Sequence, residues 1–262
     1  MNNVTRKEII QQYYSRRARD YDRQKSRTWK ASQGFGTEVI DEMLEPLAEF
    51  RNRLVLEVGV GSGRNALPLM EKVKPRFVGL DLSREMLQLA RTKMAGYRQN
   101  LDLILADAEH LPFTNTTFDA IIGMSTMHYF KSQEAILDKF TAALKKKGVF
   151  IYGDLTAHEA DDQGFFEKLE RMLSKAHARY YKPTEMRKIM ERNGFHVHKS
   201  RTVAYRKSYR SLMEDKGEYF NVAIEALQKC IREATAQAKT QYGLTNRELT
   251  LYYTIITALK EN

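Results

Sequence analysis

The chain has 262 residues, a 42% apolar fraction and a formal net charge of +10. That length suits one large α/β domain, or one domain with an insertion. Sparse glycine and proline, and the lack of any repeat, exclude a chain disordered throughout. The single cysteine, Cys230, excludes an intrachain disulfide framework and a cysteine zinc cluster. The stretch Met1 to Ile10 is polar, without an apolar signal core. No apolar run approaches the roughly 20 residues of a bilayer span. The expectation is a soluble, cytoplasmic protein with no transmembrane segment.

The charge is uneven. Residues 1–30 hold nine Lys/Arg against three Asp/Glu, and residues 171–210 hold twelve against two. A basic field attracts phosphates, nucleic acid, anionic lipid or an acidic substrate; a solvated basic surface explains it equally well.

In chain order, residues 5–24 and 35–50 read as helices. Arg53 to Val58 is a short apolar run entering a glycine loop, which predicts a buried strand and a turn. Asn65 to Lys72 predicts a helix. Phe77 to Leu80 predicts a strand ending at Asp81, and Ser83 is placed to cap a helix from Arg84 to Met94. Leu101 to Ala106 and Phe118 to Met124 predict strands. Gln133 to Lys147 predicts a helix closed by Gly148, and Val149 to Gly153 a fifth strand. Such alternation implies parallel pairing with right-handed crossovers. Phe165 to Tyr180 and Thr184 to Asn193 read as helices. His196 to Tyr205 reads as β, Glu218 to Tyr242 as one long amphipathic helix, and Leu249 to Leu259 as a last strand. About forty residues between the last two strands are too many for a hairpin loop. Residues 206–246 are therefore expected to form a helical insertion. Residues 1–34 are expected to be a helical cover, and 35–205 with 247–262 the core.

The loop Glu57-Val58-Gly59-Val60-Gly61-Ser62-Gly63 follows a strand and precedes a helix. Glycines let such a loop turn sharply and approach a ligand closely. Arg64 stands where a dinucleotide fingerprint has its third glycine, so a pyrophosphate is not required. Asp81 ends the next strand, where a carboxylate can accept from both ribose hydroxyls; an N-terminal helix residue favoured by the dipole is the alternative. Asp107 closes the third strand, where it can take an adenine amino group or simply turn the chain before Pro112.

Taken together, Leu54 to Gly63, Gly79-Leu80-Asp81-Leu82-Ser83 with Met86-Leu87, Ala106-Asp107-Ala108 with Leu111-Pro112-Phe113, and Phe118 to Ile122 resemble the class I S-adenosylmethionine-dependent methyltransferases. The resemblance is to the small-molecule branch that includes the ubiquinone/menaquinone methyltransferases. It spans about residues 35–155, with Leu144 to Phe150 and Leu251 to Lys260 in keeping. It implies an α/β fold with a Rossmann-like, seven-stranded, mostly parallel sheet, helices on both faces, an antiparallel last strand and helical cap elements. It also implies S-adenosyl-L-methionine as cofactor. By position, Glu57 shapes the loop and faces the methionine end, and Gly59, Gly61 and Gly63 pass over the cofactor. Asp81 holds the ribose, Leu82 and Met86 pack on adenine, and Asp107 and Ala108 frame its edge. Met124 stands where cofactor and acceptor meet. Tyr13 to Asp22 resembles a covering N-terminal helix that brings Tyr21 near the cofactor; Tyr21 can equally be core.

Methyl transfer from a sulfonium needs positioning and desolvation, and a base only when the acceptor is protonated and poorly acidic. His128, just past the fourth strand, is the candidate base, with a structural histidine as the alternative. Asp154 and His158 follow the fifth strand and are candidates for the acceptor pocket. Tyr180, Tyr181, Tyr205 and Tyr209 lie among Arg179, Lys182, Arg206, Lys207 and Arg210. Aromatics among cations suit nucleobases, an anionic and partly apolar small molecule, or an anionic membrane surface. The leading expectation is methylation of an O, N or C atom of a small-molecule acceptor, anionic or aromatic. An RNA or protein acceptor is the alternative, and a non-catalytic subunit on the same fold a third.

Overall fold

A computed structural model describes residues 4–31, 35–217 and 222–261. Seven strands form one sheet: β1 (Leu54–Val58), β2 (Arg76–Asp81), β3 (Leu101–Leu105), β4 (Phe118–Met124), β5 (Leu144–Thr156), β6 (Phe195–Ser208) and β7 (Glu248–Lys260). Their order is β3-β2-β1-β4-β5-β7-β6. The first five pair in parallel, and β7 runs antiparallel to both β5 and β6. Strand order reverses between β1 and β4, which opens a crevice beyond their carboxyl ends.

The near-continuous apolar runs of β1 and β4 follow from burial on both faces. Val55 of β1 packs with Ala120 and Ile122 against α2 (Phe35–Leu44), α3 (Ala66–Lys72) and α4 (Arg84–Lys93). Its neighbour Leu56 points the other way, packing with Ile121 and Phe150 against α5 (Gln133–Ala143) and α7 (Pro183–Arg192). A third core lies beyond the sheet. In it Phe166 and Leu169 of α6 (Phe165–Leu173) meet Leu212 of α8 (Tyr209–Leu212), Leu227 of α9 (Ile224–Arg232), Tyr242 and Leu251. This cap core is drawn from two chain segments, one before β6 and one after it. The first helix, α1 (Arg6–Ala31), crosses the carboxyl ends of the strands.

Several elements differ from the sequence expectations. The helix expected over Gln133–Lys147 stops at Ala143, and Leu144 to Lys147 already belong to β5. Lys145 donates to Asp119 of the neighbouring strand at 2.9 Å. Gly148 does not close a helix; a Cβ there would stand 2.8 Å from the Lys145 carbonyl, so the glycine permits a tight turn within the strand. The helix expected over Phe165–Tyr180 ends at Leu173, because Ser174 turns to extended backbone. The long helix expected over Glu218–Tyr242 is interrupted. Residues 218–221 lie outside the described residues. Beyond them α9 ends at Arg232, and Thr235 starts α10 (Ala236–Gln241) by accepting from the Ala238 amide at 3.2 Å. Strand β6 runs three residues past Tyr205.

Much of the basic excess is consumed internally. Lys199 and Arg201 on β6 bind Glu42, Glu45 and Glu38 around α2 at 2.5–3.0 Å, and Arg206 binds Glu248 at 2.9 Å. No described helix is long and apolar enough to cross a membrane.

Candidate active site

The loop after β1 folds back over the end of β2. The amides of Gly59 and Val60 both donate to the Leu80 carbonyl, at 2.8 and 3.0 Å. Three glycines in this loop take positive φ: Gly59 at 70°, Gly61 at 55° and Gly63 at 75°. Gly59 is also held to glycine by sterics. A Cβ on Gly59 would stand 2.4 Å from Thr126 Oγ1, and one on Gly63 2.7 Å from Met94 Cε. Gly63 thus allows α4 to approach the loop, whereas Gly61 has open space in front of it.

Asp81 ties the loop to the second strand. Its Oδ2 accepts from the Gly61 amide and its Oδ1 from the Ser83 amide, each at 2.8 Å. Burial raises the Asp81 pKa, against the backbone amides that favour the carboxylate. A carboxylate has about four acceptor sites, so these two bonds leave lone pairs on both oxygens.

Asp107 is engaged differently. It accepts from the Glu109 amide at 2.9 Å and pairs with Lys7 of α1 at 2.5 Å. Burial works to raise its pKa, but the Lys7 ammonium and the amide bond outweigh this and hold it below the ordinary carboxylate value. Helix α1 is fastened at two further points. Ser15 donates to Glu85, and Asp22 accepts from Ser62 at 2.5 Å and pairs with Lys93 at 2.7 Å.

Under α1 lies a cavity lined by Gly59, Gly61, Asp81 and Leu82, with Asp107 and Ala108 at one end. Tyr21 and Met124 line it at the other. Three expected residues stand behind its wall instead. Gly63 packs on α4, and Met86 is buried beneath its first turn. Glu57 is buried with only a 3.3 Å bond from Asn65 Nδ2 to its Oε1, and Oε2 has no hydrogen-bond partner among the described residues. That burial pushes its pKa up to about 8. Asn65 itself reaches the cavity, so Glu57 acts on the wall through Asn65.

A second cavity adjoins the first. Tyr14, Tyr21, Arg64, Asn65, Ser125 and Tyr129 line both. His128 stands in the second cavity only. Asp154 accepts from the His128 amide at 3.1 Å and from the ring Nδ1 at 2.9 Å. The proton therefore sits on Nδ1, leaving Nε2 as the acceptor. Burial lowers the His128 pKa despite the Asp154 charge, so the ring is neutral. Tyr180 and Tyr205 also line this cavity.

Other expected acceptor residues are elsewhere. The His158 amide donates to the Tyr242 hydroxyl, and its Nδ1 accepts from the Ala160 amide. Tyr181 lies under the Arg179 guanidinium in the α5–α7 core, and Tyr209 donates to the Thr245 carbonyl. Sequence reasoning missed Tyr14 and Tyr129, whose hydroxyls meet at 2.7 Å between α1 and the loop after β4. It also missed Ser125, held at φ 56° with its hydroxyl 2.9 Å from Tyr253, and Glu170, Asp215 and Lys216, which form a charged wall with the expected Lys207. Helix α6 shows why. Phe165, Phe166, Leu169 and Leu173 announce a core stripe, and Glu170 reads as the solvent side although it is buried.

A glycine-loop cavity at the switch point of this sheet defines a Rossmann-like methyltransferase fold, and the comparisons agree. Residues 55–148 match the family described as a methyltransferase domain. The chain matches that family over just over a third of its length. It is 31% identical over 110 residues to a fatty-acid O-methyltransferase of Mycolicibacterium smegmatis, covering 41% of this chain and 39% of that protein. The matches span about two-fifths of the length of the first two curated relatives, 39% and 44%. Among solved structures, a Bacillus halodurans C-125 protein described as a methyltransferase candidate superposes with a TM-score of 0.76 at 22% identity, covering 85% of this chain and 99% of its own. Geranyl diphosphate C-methyltransferase of Streptomyces coelicolor A3(2), solved with S-adenosyl-L-homocysteine, gives 0.62 at 12% identity, covering 86% and 78%. At those identities the likeness is one of fold.

Proposed function

We propose that the chain transfers a methyl group from S-adenosyl-L-methionine to a small-molecule acceptor held in the second cavity. The observation that carries this is the pair of adjoining cavities at the carboxyl ends of β1 and β4. One is built from the glycine loop and Asp81, the other contains a neutral histidine held by a buried carboxylate.

The residues fit the cofactor. Asp81 keeps lone pairs for two ribose hydroxyls, and Leu82 and Ala108 offer apolar contact to a purine. Asp107 offers its carboxylate at the edge, shared with Lys7. The positive-φ backbone at Gly59 and Gly61 leaves no side chain over the cavity floor. When bound, the sulfonium supplies an activated methyl group, and the sulfur keeps the bonding electron pair. The chain's own part is to place the acceptor, exclude water under α1, and take the acceptor's proton on His128 Nε2. Asp154 holds the imidazole in the tautomer that can do so and stabilises the imidazolium that results.

Of the expected acceptor classes, an aromatic or polar neutral compound draws more support than an anion. Lys207 is paired with Asp215 and Lys216 with Glu170, so two of the three cations in the wall, which also includes Arg64, are matched by carboxylates. The nucleic-acid reading has less to stand on. Tyr180, Tyr181 and Tyr209 are all buried, so they offer no exposed stacking platform.

The test is methyl transfer from isotopically labelled S-adenosylmethionine to a panel of small phenols, amines and carboxylic acids, with RNA as a further arm. Label in a small organic product supports the proposal; label in RNA alone, or in nothing, contradicts it.

A further inference from the structure

A residue lining the second cavity carries an acceptor atom with no hydrogen-bond partner among the described residues. Glu170 is 1% exposed and lines that cavity from α6. One carboxylate oxygen, Oε2, receives Lys216. The other, Oε1, has no hydrogen-bond partner among the described residues. A buried charged oxygen left without a donor is costly, so the arrangement favours a ligand that supplies one. His128 stands in the same cavity with Nδ1 committed to Asp154. Tyr180 lies next to it, its ring 4.9 Å from the imidazole and 5.1 Å from Phe166. One cavity is thus lined by His128, whose Nε2 is left by Asp154, and by Glu170, whose Oε1 is buried without a partner among the described residues, with aromatic faces beside them.

We infer that Glu170 selects the methyl acceptor, and that the acceptor carries two hydrogen-bond donors. One is on the atom that receives the methyl group and faces His128. The second, an N–H or O–H, binds Glu170 Oε1. The inference rests on the methyl-transfer reading of the site. It separates this chain's acceptor from a simple carboxylic acid. An ionised carboxylate brings no donor, meets the charges of Glu170 and Asp154, and finds Lys207 and Lys216 already paired. A site built to bind a substrate O–H or N–H rejects the analogue that lacks it far more strongly than an apolar pocket rejects a missing methylene.

The experiment uses the full chain saturated with S-adenosylhomocysteine. Binding of catechol, resorcinol and hydroquinone is compared with that of phenol and benzoate by ligand-observed NMR titration. The three diols place the second donor at different spacings. At least one diol is expected to bind about tenfold more tightly than phenol, and benzoate more weakly than either. In Glu170→Gln that diol is expected to lose about tenfold, with phenol affinity and S-adenosylhomocysteine affinity unchanged. Removing one member of the Glu170–Lys216 pair leaves the other charge buried, so Glu170→Gln combined with Lys216→Met serves as the second variant and is expected to show the same selective loss. The inference is overturned if phenol matches every diol, if benzoate binds best, if none of the five binds the loaded protein, or if the diol preference survives in both variants. Failure of the protein to bind S-adenosylhomocysteine at all contradicts the methyl-transfer reading itself, and is seen before any acceptor is added.

Discussion

Asp154 on β5 accepts two hydrogen bonds from His128, one from its amide and one from its ring, and both residues are buried in the cavity wall. The pair fixes the imidazole tautomer from below. Because burial lowers the His128 pKa from its ordinary 6.5, the base form predominates at neutral pH. Activity lost on protonation therefore disappears only as pH falls below 6.5. The pH profile of kcat/KM on the acceptor is expected to be flat from pH 7 upward and to drop on its acid side. Asp154→Asn presents an amide donor to Nδ1 and so favours the tautomer with its proton on Nε2. A loss of about 10²–10⁴-fold in kcat is expected, the usual worth of a positioned base. An unchanged rate in Asp154→Asn removes His128 from the mechanism.

Asp81 carries the proposed ribose contact. Its two oxygens hold the Gly61 and Ser83 amides, so its removal both loosens the loop and takes away the proposed ribose contact. Asp81→Ala is expected to weaken S-adenosylhomocysteine binding at least tenfold, about 1.4 kcal/mol, measured by calorimetry. Equal affinity in the variant contradicts the assignment.

Glu57 links stability to pH. Its folded pKa, about 8, lies above the ordinary 4.5, so the folded state binds the proton more tightly than the unfolded chain. The stability this proton confers is complete below pH 4.5 and is lost as pH rises through 8. The difference is on the order of 5 kcal/mol at full ionisation. Glu57→Gln is expected to melt above the wild type at pH 9 and level with it at pH 5, in thermal scans without cofactor. The same offset at both pH values rules out the linkage.

The glycines of the loop are not equivalent. Alanine at Gly61 meets only its positive φ, a cost of about 1 kcal/mol. Alanine at Gly59 also drives its Cβ into Thr126. Gly59→Ala is expected to destabilise the protein by at least about 1 kcal/mol more than Gly61→Ala in urea unfolding. Equal costs mean that Thr126 yields without strain.

Helix α1 closes the first cavity through Lys7, Ser15 and Asp22. Asp22→Ala removes the partner of both Ser62 and Lys93. Dissociation of S-adenosylhomocysteine in stopped-flow measurements is expected to be several-fold faster in this variant. An unchanged rate means that release does not depend on this end of the helix.

The parts of the fold set by local chemistry were legible in the sequence. Strand β4 was bounded at both ends by its apolar run, and the Ser83 cap and the loop with its positive-φ glycines could be read from residue type. The lysine run at 145–147 was misleading, because cations before a glycine mark a helix end as readily as an exposed strand turn, and only Asp119 on the next strand decides between them. The Glu218–Tyr242 pattern carried helical periodicity across a break that a single capping threonine imposes. The second cavity was least legible. Tyr14, Ser125, Glu170, Tyr205 and Lys216 come from five separate chain segments, and no spacing within any one of them shows that they meet.

The central claim is that the glycine-loop cavity binds the methyl donor, and titration calorimetry of the full chain with S-adenosylhomocysteine tests it most directly. The account predicts saturable one-to-one binding that Asp81→Ala weakens at least tenfold. No heat of binding at millimolar ligand, with the protein folded, would contradict it.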